Sequence, residues 1–105
     1  MRAPFDIILS GPITGTTDFR QRFAVAYVRV RDWFRREYGR EANVWNPAIL
    51  PPGRTNEWYM KRCHKAIFDS PSCVLVQLDN WHASKGSCSE HALCACLGRE
   101  ITKVP

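Results

Sequence analysis

The sequence predicts a three-layer α/β sandwich, with a parallel sheet of four or five strands between layers of helices. Two observations predict it. Short apolar runs alternate with longer stretches of helical periodicity, in the order β-α-β-α-β-α-β, and such alternation requires crossover connections that cover both faces of a parallel sheet. The chain has 105 residues, 45% hydrophobic and 24% charged, the size and balance of one domain with its own core. The expected unit is a single domain over residues 1–105.

The first strand is read at Phe5–Leu9, a buried apolar run closed by Ser10-Gly11-Pro12. Asp18 stands where a helix cap is wanted. Phe19, Phe23, Ala26, Val30 and Trp33 or Phe34 then recur at helical spacing as far as Tyr38, and Gly39 suits the terminator position. A second strand fits Ala42–Trp45 and stops at Asn46-Pro47. The stretch from Pro47 to Arg54 holds three prolines and a glycine, so it is a loop. Thr55-Asn56-Glu57 opens a second helix, with Tyr59, Cys63, Ala66 and Ile67 on its buried face and Ser70-Pro71 at its end. Cys73–Leu78 is the most β-like segment. A loop from Asp79 to Gly86 leads into a last helix, Ser87–Leu97, closed by Gly98. Glu100–Val104 is the fourth strand.

Composition narrows the function classes. No apolar run approaches the roughly 18 residues a membrane span needs. Ile7-Ile8-Leu9 is too short for a signal-peptide core, so the expected location is the cytoplasm. There are five cysteines, an odd number that argues against a disulfide scaffold. Cys94 and Cys96 lie two apart on a helix and point in different directions, which is poor geometry for zinc. The net charge of +5 suits an anionic partner, either a nucleotide or nucleic acid. Seven arginines lie between Arg20 and Arg40, interleaved with Asp32, Glu37 and Glu41, a pattern expected of a solvated helix face.

Open parallel sheets bind ligands beyond the carboxyl ends of their strands. Those ends are Ser10-Gly11, Asn46-Pro47 and Asp79-Asn80-Trp81. The first loop, Ser10-Gly11-Pro12-Ile13-Thr14-Gly15, combines hydroxyls with two glycines that let backbone amides approach a phosphate or sugar. Its glycine spacing fits neither a dinucleotide fingerprint nor a Walker loop. The third loop and its helix, Trp81 to Glu90, place Ser84, Gly86 and a carboxylate at a helix amino end, which attracts anions. Two readings of Glu90 stand side by side. It either completes a capping box, Ser87-x-x-Glu90, or serves as a nucleophile or oxocarbenium stabiliser. Trp81 either stacks on a base or packs. Trp33, Trp45 and Trp58 read as core aromatics.

Ser10-Gly11-Pro12-Ile13-Thr14-Gly15, Asn46-Pro47, Trp81-x-x-Ser84-x-Gly86-x-x-x-Glu90 and Gly98, in that order over nearly the whole chain, resemble a family of small bacterial and phage proteins in the nucleoside 2-deoxyribosyltransferase-like superfamily. They are similar to nucleoside 5'-monophosphate N-hydrolases. The resemblance implies a Rossmann-like (flavodoxin-like) fold, a homodimer, and cleavage of an N-glycosidic bond through a glutamate that falls on Glu90. It implies a phosphate-binding serine at Ser84 and a sugar- and phosphate-cradling loop at Ser10 to Gly15. The chain departs from the pattern at Ile8, where many relatives carry tyrosine, and at Cys63 or His64, nearest to an aspartate of catalytic relatives.

The expected function is therefore hydrolysis of a nucleoside 5'-monophosphate to free base and sugar phosphate, with no metal or organic cofactor. Asp79 is the candidate second acid, although a loop aspartate is more often a turn former; His64 and His82 are further candidates, with a plain surface role as the default. The expected substrate contacts are Ser10, Gly11, Ile13, Thr14, Gly15, Asn46, Trp81, Ser84 and Gly86. The alternatives are a nucleotide-binding module without catalysis and a nucleic-acid-binding protein.

Overall fold

A computed structural model describes residues 4–13 and 16–105. Four strands and three helices alternate along the chain: β1 (Ile7–Ser10), α1 (Phe19–Tyr38), β2 (Val44–Trp45), α2 (Asn56–Phe68), β3 (Val74–Gln77), α3 (Lys85–Leu97) and β4 (Glu100–Lys103). All pairings are parallel, in the spatial order β2-β1-β3-β4. The chain steps outward from β1 to β2, then returns to the other side of β1 for β3 and β4. The crevice between the carboxyl ends of β1 and β3 is therefore the topological switch point, where such sheets bind ligands. This is the predicted three-layer α/β architecture of Rossmann-like type.

Strand alternation assigns the faces. Ile7, Leu9, Val74 and Val76 pack with Phe23, Ala26, Val30 and Phe34 of α1. Ile8 and Leu75 point to the other face, where they meet Ala66 and Ile67 of α2 and Cys94 of α3, with Trp45 and Ile101 at the margins. One step further along that face the strands turn polar. Ser10 and Gln77, paired in register and both buried, replace Ile8 and Leu75. The hydrophobic core ends there and a polar floor begins.

The caps correct some expected boundaries. Gly39 and Gly98 end α1 and α3 in the left-handed conformation, as expected, with φ of 70° and 72°. Asp18 does precede α1, but it makes no side-chain cap and instead takes a hydrogen bond from Arg22 Nε at 2.9 Å. Thr55 caps α2 by accepting from the Trp58 amide. The last helix starts at Lys85, two residues before the expected Ser87, because Ser84 is the cap and its Oγ accepts from Ser87 N at 3.2 Å. The strand read at Ala42–Trp45 shortens to two residues. Asn46 Oδ1 there accepts from Ala48 N and starts a 3-10 turn at Pro47–Ile49.

Candidate functional site

A cavity of about 520 Å³ opens at the switch point. Its walls come from four segments: Gly11, Pro12 and Ile13 after β1; Pro47 after β2; Asn56, Tyr59, Met60 and Cys63 of α2; and Ala83 to Ser87 with Glu90 around the start of α3. Its size is in the range of small-molecule sites.

Glu90 lies at the floor. It is only 6% exposed, yet it is not a capping residue. Its Oε1 accepts a 2.6 Å hydrogen bond from the Ser10 hydroxyl, a residue 80 positions away, and the cap role belongs to Ser84. Cys63, equally buried, lines the same cavity. Burial pushes the Glu90 carboxyl above the usual carboxylate range, and the Ser10 bond, with a smaller contribution from the nearby Cys63 thiol, offsets this in part. None of the ion pairs among the described residues includes Glu90. Burial, with the Glu90 charge adding to it, also pushes the Cys63 thiol far up, so Cys63 stays protonated.

The amino end of α3 forms the adjoining wall. Ser84 Oγ accepts from Ser87 N, which leaves its own proton free to donate to a ligand. Gly86 lies beside it in the first turn, where a Cβ would meet only Ser84 Oγ, at an ordinary 3.8 Å. Packing thus does not demand glycine at position 86. At Gly11 it does, because a Cβ would come within 2.9 Å of Leu78 Cβ. That close approach brings the first loop against the end of β3. Lys85 is an exposed cation in the lining.

The structure therefore brings Gly11, Ile13, Ser84, Gly86 and Glu90 together around one cavity, with Ser10 fixing the carboxylate. Thr14 and Gly15 lie outside the described residues. Asn46 is committed to its turn and contributes only its neighbour Pro47 to the lining. Asp79 is exposed and outside the lining. Trp81 stacks on the His91 ring, with centroids 4.6 Å apart and planes at 6°, and His91 Nδ1 is 3.0 Å from the Gln77 amide. The Trp81 ring thus packs within its own chain. His82 is exposed. His64 is half-buried and bonds the Ser89 hydroxyl at 3.0 Å through Nε2. Sequence reasoning missed Asn56, Tyr59 and Met60 as wall residues. Tyr59 also fastens the loop above it, donating from its hydroxyl to the Pro51 carbonyl at 2.7 Å.

A parallel α/β sandwich with a buried carboxylate at its switch point is the class these features define. The chain belongs to the family described as a domain of unknown function (DUF4406), which matches residues 5–103. No curated protein and no solved structure matches it.

Proposed function

We propose that the protein hydrolyses the N-glycosidic bond of a nucleoside 5'-monophosphate, releasing free base and sugar phosphate. The observation that carries this reading is Glu90, a carboxyl buried at the cavity floor, bonded to Ser10 and facing the amino end of α3. The resemblance of the Ser10–Gly15, Trp81–Glu90 and Gly98 motifs to nucleotide N-hydrolases supports it. Ser84, the Gly86 amide and Lys85 would hold the phosphate, where helix-end amides and a free hydroxyl favour an anion. The ionised Glu90 attacks the anomeric carbon as the bond to the base breaks. Water then attacks that carbon, and the ester bond breaks to return the carboxylate and release the sugar phosphate. Transfer to a second base in place of water belongs to the same chemistry.

The decisive experiment incubates the protein with a panel of ribo- and deoxyribonucleoside monophosphates and measures free base. Wild type should release base from at least one of them. Glu90→Gln should bind that nucleotide and release none, because an amide cannot form the glycosyl ester. Ser84→Ala should weaken monophosphates far more than nucleosides.

One observation favours a second reading, a binding module that senses or sequesters a nucleotide. Protonating a leaving base ordinarily takes a second acid, and the candidate for it, Asp79, is outside the cavity lining. Nucleotide binding with no base release from any substrate would select this reading. The five free cysteines suit a reducing compartment, and we place the protein in the cytoplasm as a homodimer. No helix among the described residues is long and apolar enough to cross a membrane.

A further inference from the structure

We infer that the wall at the β2 end of the cavity is a nucleobase subsite, with Tyr59 as its aromatic platform. The inference rests on the reading of the cavity as a nucleotide site and deepens it. The strand ends that open into the cavity stand in the order β2, β1, β3, and each brings different chemistry. On the β3 side lie Ser84, Lys85 and Gly86, at the amino end of α3. In the middle, Ser10 at the end of β1 holds the Glu90 carboxyl at 2.6 Å. On the β2 side lie Pro47 and the α2 residues Tyr59 and Met60.

A nucleotide carries its groups in the same order. Phosphate and base hang from opposite ends of the sugar, and the anomeric carbon is the one that bears the base. A phosphate seated at the amino end of α3 sets the sugar over Glu90 and the base against the β2-side wall. The reverse placement would put the phosphate where no cation stands. Among the described residues that line the cavity, Lys85 and Glu90 are the charged ones, and neither belongs to that wall. It would also leave Lys85 and the helix-end amides facing an uncharged ring. Apart from Asn56, the side chains of the wall are apolar or aromatic, and aromatic faces accept a base by stacking.

Tyr59 is held in place by its own chain. Its hydroxyl donates to the Pro51 carbonyl at 2.7 Å and accepts from the Arg54 amide at 3.3 Å, which ties it to the segment that leaves β2. The Trp58 ring stands against it at 89°, with centroids 5.3 Å apart. With the hydroxyl committed to its loop, the ring is what Tyr59 offers to a base. A side chain already fixed loses little freedom when a ligand arrives. Trp81, the aromatic that the sequence pointed to, is stacked on His91 and lies outside the lining.

Calorimetric binding tests the subsite, with Glu90→Gln as the parent protein so that no ligand is consumed. The ligands are the nucleoside 5'-monophosphates and the matching sugar 5-phosphates, which carry no base. At least one nucleotide should bind the parent more tightly than its sugar phosphate. Adding Tyr59→Leu should weaken that nucleotide by about tenfold and leave the sugar phosphate within about twofold, because only the base loses its stacking partner. Adding Tyr59→Phe should leave the nucleotide within about twofold, because the ring that stacks is kept. Equal losses for nucleotide and sugar phosphate, or a loss in Tyr59→Phe as large as in Tyr59→Leu, would overturn the platform and leave the hydrolase reading standing. Should Tyr59→Leu fail to fold, proton NMR decides. The chain has three tyrosines, and Tyr59→Phe identifies the ring signals of interest. Intermolecular NOEs from those signals to the base support the platform, and their absence overturns it. A base-dependent loss in Tyr59→Leu without base release by wild type would overturn the hydrolase reading and leave the subsite standing. If no nucleotide binds more tightly than its sugar phosphate, the subsite is overturned, and base release by wild type still decides hydrolysis.

Discussion

Glu90 imposes a cost on the residue that carries it. Its folded carboxyl holds a proton more tightly than the same group in the unfolded chain, because burial disfavours the charged form. The stability it contributes is therefore fully present below the ordinary value of 4.5 and is lost as pH rises through the raised folded value. Glu90→Gln keeps the shape and the Ser10 bond but removes the ionisation. It should raise the melting temperature at pH 8 by about 4–8 °C, on the order of 1 kcal/mol, and the gain should vanish near pH 4. Thermal melts of both proteins across that range check this. A variant less stable at pH 8 would show that the carboxylate is structural. A more stable protein that has lost its function is the trade expected of a site residue held in a hostile environment.

At the scale of elements, α3 offers a second separation of structure from function. Gly86 is in its first turn, has no positive φ and has no close neighbour for a Cβ. Gly86→Ala should therefore stabilise the fold by up to about 1 kcal/mol, because glycine costs a helix backbone entropy. The same methyl group enters the cavity and should weaken nucleotide binding; denaturant unfolding and calorimetry check the two effects. The helix itself was legible in the sequence, as were all the other elements, because Gly39, Gly98 and the alternating apolar runs are local signals. The switch-point location followed from the element order alone. The α2 wall was not legible. Tyr59, Cys63, Ala66 and Ile67 read as one buried stripe, but a stripe does not say what covers it. Ala66 and Ile67 pack on Ile8 and Leu75, whereas Tyr59 and Cys63, two turns and one turn earlier, line the cavity. Periodicity reports burial, and a cavity wall has the same period as a core. Ser84 displaced Ser87 as the cap for a similar reason: both are hydroxyl residues followed by helix-compatible sequence, and only the packing of Ser87 and Glu90 into the interior decides between them.

For the whole molecule, charge and apolar surface are segregated. Arg22, Arg31, Arg35 and Arg40 pair with Asp18, Asp32, Glu41 and Asp6, and no arginine of α1 lines the switch-point cavity. The outward side of α3 is different. Cys88, Ala92, Ala95, Cys96 and Leu97 are exposed there, and the helix carries no charge between Glu90 and its end. An outward helix face that is apolar and uncharged is one that expects cover. If a second copy supplies it, light scattering should give twice 12.1 kDa, and Ala92→Arg should yield a folded monomer; a monomeric wild type would rule this interface out. The Ser10–Glu90 bond also bears on how the chain reaches this state. Its partners are separated by 80 residues, and they meet only when β1 and β3 lie side by side with α3 already laid across them. Until then Glu90 remains in water, where its charge is inexpensive. Burial of this carboxyl therefore requires all three elements to be in place, and the pocket should persist only as long as the whole sheet stands. Hydrogen exchange at the Gly11 and Ser87 amides should accordingly follow global unfolding rather than local opening.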